Sequence, residues 1–524
     1  MTSFKILDCT LRDGGYYTSW DFAPDLVDQY LRSFQGLPVE FVEVGYRSLP
    51  AKGYLGEYYY LPVSRLEAIR AVLPETAKIA VMVDEKNCAS DQLHSLMEPC
   101  RGLVDMVRFT VAPDKIDQGL ALAGIARDMG FETGVNLMYL SRMDRSNPGY
   151  RKIAAAGDAV SYLYLVDSYG AVMPNDMREH MRWARDLFPQ RLGFHGHNNV
   201  GLAFANALVA IEEGADIIDS TVQGMGRGAG NLETELLVSY VNARGQDGLI
   251  DMSRLADLSS DFMQMRAEYG WGMSFPYIVS GFGDLPQKDV MDWLALRRFS
   301  TASIVRTLQS GARPGTTPGT NAQPDDLLKM PDLELGQPVV LIGGGSSIAH
   351  TLPAICEFVS RKGATVVHST LTHVAAFASL GTPQIACLAG DEALKLDFMK
   401  DQAKHLAACV VSSDTAHAEM MLASGLPVFQ VQTINDTHSS SNQSPMTESP
   451  AQLALGVAHT LAASPVYLAG FDGYAGTGDG EAILARETQG AFDDFMRVQP
   501  DGHLISLTPT RYDVVQDSVY AYIF

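Results

Sequence analysis

Cysteine and basic side chains are scarce in this chain, and long apolar runs are missing altogether. Six cysteines (Cys9, Cys88, Cys100, Cys356, Cys387 and Cys409) are scattered through 524 residues with no CxxC pair among them. That excludes a disulfide framework and a thiolate zinc site, and it fits a reducing compartment. No stretch approaches the ~18–20 uninterrupted apolar residues of a membrane span. The opening MTSFKILDCTLRDGG lacks the basic-then-apolar pattern of a secretory leader. Lys and Arg number 39 against 61 Asp and Glu, a net charge of −22. A chain that acidic repels phosphate backbones and anionic lipid surfaces, so neither nucleic acid nor membrane is an expected partner. The 47 glycines and 25 prolines follow no period, which excludes a collagen-like chain. A cytoplasmic protein is expected.

What is present is ample apolar content, 46% of the residues, enough to build cores and to exclude a disordered chain. At ~100–200 residues per domain the length predicts two to four domains. From the N-terminus to about residue 300, short β-rich runs alternate with amphipathic stretches. The runs are 4–9, 39–46, 78–84, 106–111, 133–139, 161–168, 191–197 and 216–223; helical stretches include 62–73, 174–188 and 202–214. Near-continuous apolar strands alternating with helices indicate a parallel sheet. Eight such units over ~250 residues fit a closed (β/α)8 barrel, a TIM barrel. Polar residues gather where the runs end, among them Asp8, Arg12, Asp13, Glu43, Arg47, Asp84, Arg108, Asn136, Asp167, Ser168, His195, His197 and Gln223. That is the face where barrel enzymes place their chemistry, and Glu43, Arg108, Asn136 and Ser168 become candidate substrate-binding residues.

Residues 309–336 are rich in Gly, Pro, Thr and Asp and read as a linker between a barrel over 1–308 and an α/β domain over 337–524. The segment 437–450 reads as a polar loop inside that second domain.

Three motifs carry candidate chemistry. In LDCTLRDGGY (7–16) a strand is expected to run into a turn that presents Arg12 and Asp13; a surface salt bridge or a cap would use the same pair. In FHGHNN (194–199), alternation along a strand puts His195 and His197 on one side. Two imidazoles there make a pair of metal ligands, or a pair of core histidines. GMGRGAGNLETE (224–235) allows tight turns and ends on Asn231; alone it could be a flexible turn or an anion-binding nest. Barrel closure joins the three, because strand 8 pairs with both strand 7 and strand 1. One carboxylate, two imidazoles and an amide then converge, a set suited to Mn2+, Mg2+ or Co2+.

On DCTLRDGG, HGHNN and GMGRGAGN, residues 4–300 resemble the pyruvate-carboxylase-like and HMG-CoA-lyase-like metal-dependent barrels, which include 4-hydroxy-2-oxovalerate aldolase and isopropylmalate synthase. The resemblance implies that Asp13, His195 and His197 bind a divalent metal, with Asn231 a ligand or its neighbour, and that Arg12 contacts the oxygen that becomes the enolate. It implies an aldolase or lyase acting beside the carbonyl of a 2-oxo acid. The chain departs from the resemblance two residues after Gly14, where the aldolases have His and the lyases and acyl transferases have Gln; here the residue is Tyr16. Tyrosine's reference pKa of ~10 means that it needs activation to act as a base. Tyr277 is a second candidate acid/base, or a packed aromatic. Other readings are an acyl-CoA-dependent Claisen enzyme or lyase of the same family, a 2-His-1-carboxylate Fe(II) oxygenase, and a non-catalytic metal-binding scaffold.

In the second domain, LIGGGSSI follows a strand and opens a helix, so its N–H groups could bind an anion. The stretches GGGSSI, YLAGFD and ISLTPT resemble the Rossmann-like domain of archaeal-type 6-hydroxymethylpterin diphosphokinase and related sugar-transfer proteins. That implies a nucleotide or nucleotide-sugar ligand near Gly343, Gly344, Gly345, Ser346 and Asp472, and a sugar-derived substrate for the barrel. The expected partners are a 2-oxo acid and an aldehyde, this nucleotide ligand, and further copies of the chain in a homo-oligomer.

Overall fold

The computed structural model describes residues 4–244, 250–295, 301–309, 333, 335–389, 404–411, 426–431, 449–474, 479–500 and 503–523. The chain forms two compact units, Met1–Met291 and Asp292–Phe524. Most of the expected linker (310–332) and of the expected polar loop (437–448) lies outside the described residues.

The first unit is a closed barrel of eight parallel strands, each paired with the next and β8 with β1. The strands are β1 (Lys5–Asp8), β2 (Val39–Tyr46), β3 (Lys78–Asp84), β4 (Met106–Val111), β5 (Glu132–Leu137), β6 (Tyr162–Asp167), β7 (Arg191–Gly196) and β8 (Ile217–Ser220). Their near-continuous apolarity has a physical cause, since both faces are buried. Leu7, Phe41, Ala80, Met106, Tyr164 and Ile217 fill the interior. Alternate residues such as Ile6, Val42, Ile79, Val107, Leu163 and Phe194 pack outward against the helices. Each such side chain contributes about 1.5–3 kcal/mol on burial. Two strand glycines make room inside: a Cβ on Gly193 would lie 2.4 Å from the Tyr164 ring, and one on Gly134 would lie 2.8 Å from Cγ of Arg108.

The second unit holds one parallel sheet in the order β13-β12-β11-β10-β9-β14-β15-β16. Its strands are β9 (Val339–Ile342), β10 (Thr365–His368), β11 (Gln384–Leu388), β12 (Ala408–Val411), β13 (Val428–Gln430), β14 (Val466–Ala469), β15 (Leu504–Ser506) and β16 (Val515–Gln516). The strand order reverses between β9 and β14, the kind of place where open α/β sheets leave a crevice. Among the described residues no helix is long and apolar enough to cross a membrane.

Candidate active site

The segment expected as a turn after β1 is a helix, Thr10–Thr18. Gly14 and Gly15 lie inside it, which is why the sequence reads as a turn. Their reason is contact: a Cβ on Gly14 would sit 2.6 Å from Sδ of Met225, and one on Gly15 would sit 2.1 Å from the Trp20 ring. The helix carries Arg12 and Asp13 in its first turns, both buried. Asp13 there sits where the helix dipole favours a carboxylate.

Asp13, His195 and His197 are brought together, each offering one ligand atom within 4.8 Å of the others. His195 reaches Asp13 through Nε2, 4.0 Å from its Oδ2. The opposite ring nitrogens are both engaged. His197 Nδ1 donates to the carbonyl oxygen of Asp167 at 2.9 Å, and His195 Nδ1 lies 2.9 Å from Oδ2 of Asp219. A proton held on Nδ1 leaves the Nε2 lone pair for a cation. Burial, and then the neighbouring His195, lower the His197 imidazole to about 3, so it is neutral at physiological pH. Burial pushes the Asp13 carboxyl up, but Arg12 followed by His195 and His197 outweigh it and hold the group well below the usual carboxylate range. Cys9, His195 and Asp219 form a second trio of ligand types. Burial pushes the Cys9 thiol well up, which keeps it protonated.

A buried ladder of charges supports the cluster. Arg12 pairs with Asp13 and donates through Nε to Oε2 of Glu43 at 2.7 Å. Arg108 reaches that same Glu43 oxygen at 3.2 Å and Asp219 at 2.5 Å, and Asp219 closes on His195. Glu43 and Arg108 are 0% exposed. Arg108 also lies over the Tyr164 ring at 3.9 Å. Glu43 and Arg108, expected to bind substrate, are held in this ladder, Glu43 on Arg12 and Arg108 on Asp219, while Glu43 Oε1 and Arg108 Nε stay buried without a hydrogen-bond partner. Ser168 likewise accepts from the backbone N–H of Tyr139 at 2.9 Å and positions a loop. Asn136, at the end of β5, keeps a buried Oδ1 without a partner. Asp8 is a clamp, accepting from Thr10, Tyr30 and Thr234. Gln223 turns toward Glu235 and Ser259.

The two candidate acid/base tyrosines differ in setting. Tyr16 is 38% exposed, and its hydroxyl lies 3.3 Å from that of Tyr46, a buried group raised by desolvation and therefore protonated. Tyr277 is 1% exposed and its hydroxyl meets that of Tyr17 at 3.2 Å, while Tyr17 donates to the carbonyl of Gly228 at 2.8 Å. Through Tyr17, Tyr277 supports the glycine-rich loop, the packed-aromatic setting that was its other reading.

Two residues escaped the sequence reading. Asp219 was signalled by a lone carboxylate inside an apolar strand, and Arg227 by being the only charge in GMGRGAGN. Asn198 N donates to Gly230 O at 2.8 Å and Asn231 N to Gly224 O at 3.0 Å, so the loop is stitched to the end of β7 and to itself.

The residues fit a divalent cation. Asn231 donates to Oδ2 of Asp13 through Nδ2 while its Oδ1 is buried with no partner. Gly226 lets its backbone close on them: a Cβ there would stand 2.2 Å from Asn231 Nδ2 and 2.7 Å from Asp13 Oδ2.

In the second unit, Gly343, Gly344, Gly345 and Asp472 line a cleft of about 450 Å³ at the β9/β14 reversal. Its expected anion site is already filled. Asp472 accepts from the backbone N–H of Ser347 at 2.9 Å and from the Ser347 hydroxyl. The carboxylate occupies the helix start (Ser347–Lys362) that begins just after Ser346, so a phosphate there would meet a like charge. The glycines answer to close packing instead. A Cβ on Gly343 would lie 2.4 Å from the carbonyl oxygen of Gly470, and one on Gly345 would lie 2.4 Å from Cγ of Asp472.

Residues 3–262 match the family model described as HMGL-like. The chain is 32% identical over 263 residues to the 4-hydroxy-2-oxovalerate aldolase of Thermomicrobium roseum, covering 49% of this chain and 72% of that one. The chain belongs to the HMGL-like family. It is also 27% identical over 320 residues to the oxaloacetate decarboxylase of Mycobacterium tuberculosis, covering 59% of this chain and 90% of that one. Among solved structures, the N-terminal domain of a candidate aldolase from Bacteroides vulgatus aligns with a TM-score of 0.54 and 42% identity, covering 58% of this chain and all of that one. The expected aldolase-type barrel is thus found, and the chain is a carbon–carbon lyase of this HMGL-like family.

Proposed function

We propose that the barrel makes or breaks a carbon–carbon bond next to the carbonyl of a 2-oxo acid, with Mn2+ or Mg2+ held by Asp13, His195 and His197 and with Asn231 beside it. The observation that carries this reading is the pairing of both imidazoles through Nδ1, which aims two Nε2 lone pairs and one carboxylate at a common point. A divalent ion bound there supplies Lewis acidity toward the oxygens of a 2-oxo acid. Arg12, held by Asp13 and Glu43, keeps a fixed guanidinium beside that point, ready to hold an oxyanion through its remaining N–H groups. Asn136 Oδ1 is free to orient the substrate. Tyr16, whose hydroxyl meets that of Tyr46 at 3.3 Å, is the proposed group that takes the proton from a substrate hydroxyl as the bond breaks. Tyr16 stands where the resembled aldolases carry His, so the aldehyde fragment is a proposal separate from the 2-oxo acid. In the second unit, we assign the cleft beside Asp472 to a neutral or cationic ligand that presents hydrogen-bond donors.

The test is metal analysis combined with deuterium exchange at the methyl group of pyruvate, which reports enolisation whatever the aldehyde. Mn2+ bound in near-stoichiometric amount with measurable exchange is the expected result, and D13N should lose both. Equal metal content and equal exchange in D13N would overturn the assignment.

A further inference from the structure

Among the described residues, several arginines and a lysine around the barrel mouth are paired by the chain itself. Arg12 and Arg108 are tied to Glu43. Arg47 donates to the carbonyls of Tyr60, Leu61 and Leu96, and Lys86 lies 3.1 Å from Asp84. Arg227 stands apart. Its Nε is buried without a hydrogen-bond partner, and no carboxylate among the described residues pairs with its guanidinium. In a chain with 61 acidic and 39 basic residues, an arginine is not left alone for want of carboxylates. A half-desolvated cation with no counter-charge carries a cost that a bound anion removes.

Its position is fixed. Gly228, the next residue, is held at its carbonyl by Tyr17, and Gly230 N–H closes on Arg227 O at 3.2 Å. The guanidinium lies 5.8 Å over the ring of Tyr16. It therefore sits beside the part-exposed Tyr16 and is itself less buried than Arg12.

Resting on the lyase reading above, we propose that Arg227 anchors an anionic group, a carboxylate or a phosphate, on the aldehyde fragment of the substrate, remote from the 2-oxo acid. Arg12 serves the reacting oxygen and Arg227 selects the charged far end. Planar, paired donors suit either anion.

The experiment uses the full chain with Mn2+ and three aldehyde probes: glycolaldehyde phosphate, succinic semialdehyde, and neutral glycolaldehyde. Calorimetric titration of the wild type should show the anionic probes binding about ten-fold or more tightly than the neutral one. That ratio should collapse toward one in R227Q and persist in part in R227K. Preference for one anionic probe over the other tells phosphate from carboxylate. A wild type without preference, or an equal ratio in R227Q, overturns the proposal. A shift in the pH dependence of Tyr16-linked turnover with the ratio intact would also overturn it and place Arg227 on Tyr16. Deuterium exchange from pyruvate, run on the same wild-type preparation, tests the lyase reading by itself, since the titration decides Arg227 either way.

Discussion

A single carboxylate, Asp219, does two things that the metal ligands cannot do for themselves. It holds His195 by Nδ1 and satisfies Arg108, and both contacts are fully buried. In D219N we expect metal affinity to fall about 10–100-fold, because the imidazole loses its orienting partner. The same variant leaves Arg108 buried with a weakened counter-charge, for which about 3–5 kcal/mol of stability is the expected order. Mn2+ titration and urea unfolding read the two effects separately. For Tyr16 the prediction concerns chemistry alone: Y16F should lower aldol cleavage about 100-fold or more at unchanged metal content, as for loss of a general base. Equal turnover would move the proton to another group. The residues that the sequence signals best are those whose type is unusual for their place, such as His195 and His197 on a strand. Asp219 and Arg227 share that property, yet each is a lone charge in an otherwise ordinary run, and one charge becomes meaningful only when its neighbour in space is known.

Elements were legible where one physical cause sets the pattern. β2, β3 and β4 run over the predicted residues because burial on both faces demands unbroken apolarity. The helix Thr10–Thr18 was illegible because its glycines respond to Met225 and Trp20, which are distant or just beyond its end. Glycines in these elements therefore differ in what they tolerate. G14A gains helix propensity of about 1 kcal/mol against a Met225 side chain that can move, so near-neutral stability is expected. G226A would press on the amide of Asn231 and the carboxylate of Asp13, both already engaged. A loss of about 1–3 kcal/mol, with weaker Mn2+ binding, is expected there. Chemical unfolding of the two variants side by side checks the contrast.

On the scale of the molecule, acid and base stability are set by carboxylates that burial and pairing push in opposite directions. Burial lifts Asp167 from 3.8 to about 6 against hydrogen bonds from Val172 and Ala171. A raised folded value means that the folded state binds the extra proton. Asp167 therefore favours folding below pH ~4, and that contribution is lost as pH rises through about 6. The stability of the wild type should consequently fall between pH 4.5 and 6.5 by more than that of D167N, measured by urea midpoints across that range; parallel curves would refute the assignment. Asp13 and Asp219 act the other way, stabilising above the ordinary carboxylate range and losing that effect in stronger acid. The ladder from Asp13 through Arg12, Glu43, Arg108 and Asp219 to His195 has one further consequence, for the order of assembly. Its members come from β2, β4, β7 and β8 and from the helix that follows β1, so they meet only once the ring of strands has closed. A half-formed barrel would offer neither an aligned imidazole nor a neutralised guanidinium. Cation uptake during refolding should then lag behind strand formation and coincide with the last step, making the ion a reporter of completed closure rather than a nucleus for it.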